Sequence, residues 1–259
     1  MPVRNKTVLI TGGATGIGKM TALHFAKKGF DLVINYRSST EAAESLKASL
    51  TKAYGINCLL VQGDICKKED CERIAAFAKE NFPAVDILIH NAGPYIHERK
   101  RMTDYTYEEW NEIFSGNLTS VFYLSKLLLP GMRTKGWGRI ITIGYDRAET
   151  APGWIYRSAF AAAKTGLASL TKTIAMEEAE NGITANMVSP GDIVAEWKEK
   201  EIAAAIADPE TNAPVGRYGT GEDIARVIAF LAEEQSSFIT GSVIPVTGGL
   251  DVLGKFYSN

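Results

Sequence analysis

Short apolar segments alternate with long segments of helical periodicity, and this alternation restricts the fold of the chain more than any other feature. The apolar segments lie near residues 6–11, 31–36, 57–62, 85–90, 138–144, 183–188 and 242–246. The helical segments lie near residues 16–28, 40–53, 67–81, 107–132, 154–179, 195–207 and 221–233. Apolar segments without strict polar alternation are typical of strands buried on both faces of a parallel sheet. We therefore predict one α/β domain over residues 1–259, with a doubly wound parallel sheet of about seven strands and helices on both faces.

Composition and charge argue against several classes of protein. The 259 residues are 46% hydrophobic, which is enough for the core of one large domain. A net charge of −2 gives no basic surface for nucleic acid, and no apolar stretch approaches the roughly 20 residues that span a membrane. Cys58, Cys66 and Cys71 have no metal-binding spacing and are typical of reduced thiols. We expect a cytoplasmic protein that binds no metal, nucleic acid or membrane.

The first predicted strand leads into a glycine-rich turn that opens a helix. Gly12, Gly16 and Gly18 lie in this turn, with Thr15 and Ile17 between them. Glycines accept unusual backbone angles and let a phosphate approach the main chain, while free N–H groups at the start of the helix face that phosphate. The order of strand, turn and helix therefore predicts a Rossmann-type site for the diphosphate of a dinucleotide.

Further motifs follow this turn at characteristic intervals. They are Gly63-Asp64-Ile65, Asn91-Ala92-Gly93, Gly116-Asn117-Leu118, Ser189-Pro190-Gly191-Asp192-Ile193, Gly216-Arg217-Tyr218-Gly219 and Gly248-Gly249. In combination they resemble the short-chain dehydrogenase/reductase family, and most of all its 3-oxoacyl-acyl-carrier-protein reductases. The resemblance covers nearly the whole chain. It implies that residues 64–65 contact the adenine, that residues 91–93 lie beside its ribose, that residue 117 holds a relay water, and that residues 190–193 bind the nicotinamide.

The end of the second predicted strand determines which dinucleotide fits. An acid there binds the ribose hydroxyls of NAD, whereas an arginine pairs with the additional phosphate of NADP. The chain has no acid at this place, where it reads Asn35, Tyr36, Arg37 and Ser38. We therefore favour NADP(H), with NAD(H) as the alternative. Thr15 is not basic, so the glycine-rich turn adds no second anchor for that phosphate.

The catalytic set departs from the family at two positions. The resemblance implies a serine that binds the substrate oxygen, a tyrosine that donates a proton, and a lysine four residues later that lowers the tyrosine pKa. Lys164 is present, but Phe160 occupies the tyrosine position and Tyr145 the serine position. Residues 160 and 164 lie on one helix face because they are four apart. Phenylalanine has no hydroxyl, so Phe160 cannot act as the acid.

Four interpretations of this change stay open. In the first, Tyr145 is a relocated acid whose pKa Lys164 lowers. In the second, Tyr156 is the acid, although two helical turns, roughly 12 Å of rise, separate it from Lys164. In the third, the chain binds a dinucleotide without catalysis and has a binding or regulatory role. In the fourth, the substrate or water supplies the proton.

The resulting prediction is NADPH-dependent reduction of a carbonyl such as a 3-oxoacyl thioester, on a small molecule or on a carrier. Asn117, Tyr145 and Lys164 are its predicted catalytic residues. Residues 192–216 resemble the family's substrate lid, although Ala195 replaces a threonine that binds the cofactor. We expect Trp154 and Tyr156 to border the substrate pocket. The resemblance also implies a homodimer or homotetramer through the helices near 107–132 and 154–179.

Overall fold

Seven strands form one sheet within residues 6–207 and 213–250, which the computed structural model describes. The strands are β1 (Thr7–Ile10), β2 (Asp31–Tyr36), β3 (Cys58–Gln62), β4 (Ile87–His90), β5 (Gly138–Ile143), β6 (Ile183–Pro190) and β7 (Val243–Val246). The helices are α1 (Gly16–Lys27), α2 (Thr40–Tyr54), α3 (Lys68–Asn81), α4 (Tyr107–Phe114), α5 (Ser120–Lys135), α6 (Ser158–Glu178), α7 (Ile202–Ala207) and α8 (Gly221–Leu231). The predicted α/β class and its seven strands are confirmed.

The strand order β3-β2-β1-β4-β5-β6-β7 places β1 at the point where the winding of the sheet reverses. All six neighbouring pairs are parallel, with Leu9 opposite Val33 on one side and opposite Leu88 on the other. In doubly wound sheets, ligands bind beyond the carboxyl ends of the strands at this reversal. The loops after β1 and β4 therefore mark the place to search for a site.

Helices cover both faces of the sheet because alternate strand residues point to opposite sides. On one face, Ile10 and Ile34 pack with Phe25 of α1 and Ile228 of α8. On the other face, a second cluster joins the strands to α3, α5 and α6, and its members include Leu9, Val33, Leu88, Leu128 and Ile174. Every residue of β1, β2, β4 and β5 is buried, as expected of strands covered on both sides.

Three predicted helices differ from the structure. The helix predicted near 107–132 contains a π-helical turn, Ser115–Thr119, between α4 and α5. The helix predicted near 154–179 begins only at Ser158, because Tyr156 has a φ of 64°, which the preceding loop imposes. The helix predicted near 195–207 is a 3₁₀ turn over Ala195–Glu199 followed by α7. Residues 208–212 of the predicted lid lie outside the described part of the chain.

Candidate functional site

Two cavities lie side by side at the carboxyl edge of the sheet, next to the reversal between β1 and β4. We call the first, about 410 Å³, the β2-side cavity, because it lies between the ends of β1, β2 and β4. The second, about 520 Å³, is the β5-side cavity. Asn91, Gly93 and Lys198 line both. An elongated ligand with two halves therefore fits across the pair.

Most residues predicted to act in binding or catalysis line these cavities. At the β2-side cavity are Gly12, Thr15, Ile17, Asn35, Arg37, Asp64, Ile65, Asn91, Ala92 and Gly93. At the β5-side cavity are Asn117, Tyr145, Lys164, Pro190, Gly191 and Ile193. Gly16, Gly18, Tyr36 and Ser38 line neither cavity, and Tyr36 packs in the core instead. Their roles toward a cofactor stay predictions.

The glycine-rich turn after β1 depends on the absence of side chains. Gly12 and Gly16 have φ angles of 60° and 59°, in the left-handed region that L side chains rarely adopt. A Cβ on Gly18 would lie 2.3 Å from the carbonyl oxygen of Gly12, so only glycine lets α1 start this close to β1. The start of α1 thereby lies at the cavity edge, where its backbone N–H groups favour an anion, and the Glu199 carboxylate already accepts from the N–H of Gly16.

Asn91 joins the end of β4 to this turn. Its side-chain nitrogen donates to the carbonyls of Thr11 (2.9 Å) and Gly12 (3.1 Å). The hydroxyl of Thr11 in turn accepts from the backbone N–H groups of Asn91 (3.1 Å) and Ala92 (3.0 Å). The predicted ribose-side motif therefore also ties the loop after β4 to the glycine-rich turn after β1 and fixes the distance between them.

The end of β2 carries one buried amide and one exposed guanidinium. Asn35 donates to the carbonyls of Val61 (3.3 Å) and Gly63 (3.0 Å), and its oxygen accepts from Gly12 N at 3.4 Å. Asn35 thus braces the turn from below. The Arg37 side chain is 61% exposed and lies 3.8 Å from a carboxylate oxygen of Glu112. A loose surface pair of this kind is worth little, so Arg37 stays available to an anionic ligand.

The π-helical turn positions Asn117 in the β5-side cavity. Its Nδ2 donates to the carbonyls of Pro94 (2.8 Å) and Ile113 (3.0 Å). Its Oδ1 is buried and has no hydrogen-bond partner. A buried unpaired carbonyl is costly and indicates a place for a water or a ligand group. Single π turns of this kind are frequent at functional sites.

Lys164 reaches the same cavity from α6 and is only 4% exposed. Its ammonium donates to the carbonyl of Ile143 at 2.6 Å. Burial lowers its pKa from 10.5 to about 7, because desolvation penalises the charged form. The Lys164 Nζ lies 5.6 Å from the centre of the half-buried Phe160 ring. The predicted spacing does bring residues 160 and 164 to one wall of the cavity.

Tyr145 lies in the β5-side cavity, but its hydroxyl is already engaged. The ring stacks on Trp154 with centroids 5.1 Å apart, and the hydroxyl donates to the carbonyl of Pro152 at 3.3 Å. Burial raises the Tyr145 pKa and Glu149 raises it further, while a hydrogen bond with Thr165 acts in the opposite direction. No effect of Lys164 contributes to this shift. Trp154 lines the cavity as predicted.

A second tyrosine, Tyr95, borders the cavity from the loop after β4. Its ring packs edge-on against Phe160, with centroids 4.9 Å apart. The buried Arg157 donates to the Tyr95 hydroxyl at 2.6 Å and also to three carbonyls of this region, those of His97, Glu98 and Tyr156. Arg157 therefore anchors the loop to the start of α6. Tyr156, the second candidate acid in the sequence, is also expected to border the pocket, and that prediction is wrong because Tyr156 does not line the cavity.

The segment Ala195–Glu199 lies over the start of α1. The Glu199 carboxylate accepts from the backbone N–H of Gly16 at 2.7 Å and from Lys19 Nζ at 2.6 Å. Burial of this carboxylate acts to raise its pKa, but the Gly16 N–H and the Lys19 ammonium outweigh that effect and lower it. Trp197 stacks on Tyr218 with centroids 4.6 Å apart. The predicted lid is thus fastened along the edge of both cavities.

Sequence reasoning missed one residue that links the two cavities, Lys198. The charged residues around it indicate only a solvated helix. The signal that could have identified Lys198 is its closeness in sequence to Ala195, which stands where the family has a residue that binds the cofactor. Another cavity, about 710 Å³, lies between the ends of β6 and β7. Asp192, Arg217 and Asp223 are its charged residues, and the last two bind each other at 2.7 and 2.8 Å.

Two further searches concern only residues 6–207 and 213–250. In that part of the chain, no cluster of three or more His, Cys, Asp or Glu residues has a geometry suited to a metal ion. None of the helices described there combines the length and apolar character needed to cross a bilayer.

Known proteins resemble this chain over almost its entire length. The family model described as "Enoyl-(Acyl carrier protein) reductase" matches residues 12–251. "Putative oxidoreductase YtkK" of Bacillus subtilis is 52% identical over 95% of this chain and 97% of its own length. The 3-oxoacyl-[acyl-carrier-protein] reductase FabG of Haemophilus influenzae is 38% identical over 96% of this chain and 99% of its own length.

Two solved structures share the fold. The structure titled as a "putative 3-oxoacyl-reductase" from Bacillus thuringiensis is 50% identical, with a TM-score of 0.91 over 96% of this chain and 100% of its own. A blue fluorescent protein from a metagenomic library, in complex with NADPH, is 28% identical, with a TM-score of 0.82 over 96% of this chain and 99% of its own. The parallel sheet, the glycine-rich turn and these similarities together show that the chain is an oxidoreductase-like member of the short-chain dehydrogenase/reductase family.

Proposed function

We propose that this protein is an NADP(H)-dependent oxidoreductase that reduces a carbonyl such as a 3-oxoacyl thioester, with a proton donor other than residue 160. The observation that carries the proposal is the meeting of Lys164 and Asn117 in one cavity that adjoins the glycine-rich turn. The 38% identical relative is named a 3-oxoacyl-[acyl-carrier-protein] reductase, which supports the substrate class. The NADPH complex of the structural neighbour supports the cofactor.

The chain's own groups fit a nicotinamide dinucleotide. The turn at Gly12 and Gly18 accepts no side chain, and the start of α1 favours an anionic group such as a diphosphate beside the Gly16 N–H that Glu199 holds. The bound nicotinamide would supply a hydride to the carbonyl carbon. Residues of the β2-side cavity would hold the adenosine half, and Pro190, Gly191 and Ile193 would border the nicotinamide half.

Reduction of a carbonyl also needs one proton on its oxygen. In this site Lys164 places a cation beside the reacting region and can hold ribose hydroxyls, while the unpaired Oδ1 of Asn117 can hold a relay water. These groups bring a proton near the carbonyl oxygen, but the ring of Phe160 cannot deliver it. The proposed donor is Tyr145, whose hydroxyl would leave the 3.3 Å hydrogen bond to Pro152 and its hydrogen bond with Thr165 and turn into the cavity.

The Tyr145 proposal predicts a loss of turnover in Tyr145→Phe. We expect kcat to fall by about 10²-fold, because general acid catalysis contributes at least this factor, while the Kd for NADPH stays unchanged. Tyr156→Phe is the matched control, since Tyr156 does not line the cavity. Equal turnover of Tyr145→Phe and wild type would move the proton source to water or to the substrate.

The cofactor proposal predicts that Arg37→Asp discriminates between the two dinucleotides. Loss of a charge-assisted contact and gain of repulsion should weaken NADPH binding by roughly 30-fold or more. Binding of NADH, which lacks the additional phosphate, should change little. Isothermal titration calorimetry with both dinucleotides measures the difference in one preparation. Equal losses for NADPH and NADH would contradict the role of Arg37.

The function itself is tested by NADPH consumption at high protein concentration. The substrates are short 3-oxoacyl thioesters, ketones and quinones, with NADPH binding verified in the same sample. Turnover of a 3-oxoacyl thioester is the expected result. Saturating NADPH binding without turnover of any substrate would contradict the proposed reaction and indicate a binding protein instead.

A further inference from the structure

A cation lies where the two cavities meet. Lys198 lines both the β2-side and the β5-side cavity, whereas Arg37 lines only the first and Lys164 only the second. In a dinucleotide, the diphosphate is the link between the adenosine half and the nicotinamide half. We propose that Lys198 binds the cofactor diphosphate, and that Glu199 is the residue that positions it. This inference rests on the proposed function.

The backbone of Lys198 is held against the start of α1 and α8. The carbonyl oxygen of Lys198 would lie 2.0 Å from a Cβ on Gly221, so this approach requires the absence of a side chain at residue 221. A Cβ on Gly16 would lie 3.9 Å from the Cβ of Lys198. The Lys198 side chain therefore starts directly above the glycine-rich turn.

Glu199 fixes the orientation of this segment. Its two carboxylate oxygens bind Gly16 N (2.7 Å) and Lys19 Nζ (2.6 Å), which fastens residue 199 to α1 from both sides. Lys19 balances the charge of this carboxylate, so the carboxylate does not need Lys198 as a partner. With residue 199 turned to α1, residue 198 faces the junction of the two cavities.

The ammonium of Lys198 forms no ion pair with an acid in the described part of the chain, although Asp146 and Asp192 line the same β5-side cavity. Across residues 6–207 and 213–250, no carboxylate lies within ion-pair distance of it. By contrast, Lys19 and Lys27 on the neighbouring helix are both paired with lid carboxylates. A lysine ammonium binds phosphate as a compact charge and adds to the attraction of a helix start. Ala195, three residues earlier, has no hydroxyl to offer, so the cation supplies the polar contact of this segment.

The test compares Lys198→Met with Lys200→Met. Both variants remove one positive charge from the same segment, but Lys200 lines neither cavity. Two competitors of NADPH distinguish a contact with the diphosphate from a contact with the 2′-phosphate. ADP-ribose carries the diphosphate without a 2′-phosphate, and adenosine 2′-monophosphate carries the 2′-phosphate without a diphosphate. Displacement of NADPH fluorescence gives the affinity of each.

We expect Lys198→Met to weaken ADP-ribose binding by about ten- to thirtyfold, as for loss of one charge-assisted contact. Its affinity for adenosine 2′-monophosphate should equal that of wild type, and Lys200→Met should leave both ligands unaffected. Lys198→Arg should restore ADP-ribose binding. Thermal unfolding of each variant confirms that the fold is intact.

Two results overturn the inference alone: wild-type affinity of Lys198→Met for ADP-ribose, or equal losses for both ligands. A wild-type protein that binds neither NADPH nor ADP-ribose overturns the proposed function as well. The two failures are therefore distinguishable.

Discussion

In a Tyr145→Phe background, Phe160→Tyr should raise kcat for carbonyl reduction by about 10²-fold, the lower range of what a positioned general acid contributes. Phe160 already lines the β5-side cavity, and Lys164 Nζ lies 5.6 Å from the centre of its ring. A hydroxyl on this ring would point a phenol into the cavity that also holds the unpaired Oδ1 of Asn117. Steady-state kinetics with a 3-oxoacyl thioester at saturating NADPH measures the gain.

Two companion variants sharpen this expectation. Phe160→Leu should give no gain, because it changes the same position without adding an acid. Phe160→Tyr alone should change kcat less, because Tyr145 already donates the proton in the wild type. An unchanged kcat when Phe160→Tyr is added to Tyr145→Phe, with unchanged NADPH affinity, would show that proton donation does not limit the reaction.

Lys164→Met should stabilise the ligand-free protein near pH 7 and abolish most of its activity. The Lys164 pKa is about 7 in the folded protein against 10.5 for an ordinary lysine. Between these values the unfolded chain binds more protons than the folded one, so wild-type stability rises with pH over this range. Near pH 7 the cost of burying the amine approaches about 4 kcal/mol. Methionine avoids this cost but leaves the Ile143 carbonyl unpaired, so the free energy of unfolding should rise by about 2 kcal/mol.

The pH dependence distinguishes this effect from better packing. The stability difference between Lys164→Met and wild type should shrink as the pH rises from 7 to 10.5, because the wild type then loses its penalty. Urea unfolding at several pH values measures it. Lys172→Met, at an exposed position of the same helix, is the control and should follow the wild type. A difference that stays constant from pH 7 to 10.5 would contradict the depressed pKa of Lys164.

Much of the site could be predicted from sequence because its residues lie at the ends of strands. Asn91 directly follows β4 and Gly191 directly follows β6, and both strands have clear apolar segments, so the parallel sheet brings the two residues to one edge. The glycines of the first turn have steric requirements that sequence alone reveals. The position of Arg37 at this edge is predictable for the same reason, since Arg37 directly follows β2.

The rest depends on long-range packing that has no local pattern. The hydroxyl direction of Tyr145 depends on stacking with Trp154, nine residues away across an irregular loop. In that loop Arg147, Ala151 and Tyr156 have positive φ angles, which residues other than glycine seldom adopt and propensity does not indicate. The position of Lys198 between the two cavities depends on the packing of its backbone against Gly221 of α8.

The anchoring of Arg157 has a consequence for how substrates reach the cleft. This guanidinium joins the loop at residues 95–98 to the start of α6 through one phenol and two loop carbonyls, in partly buried contacts. The opposite wall, at residues 195–199, is held through half-exposed side chains such as Lys19 and Glu199. The wall at residues 95–98 is therefore held more firmly than the wall at residues 195–199, which can open more easily. A large ligand should therefore enter on the side of residues 195–199, with little rearrangement of residues 95–98.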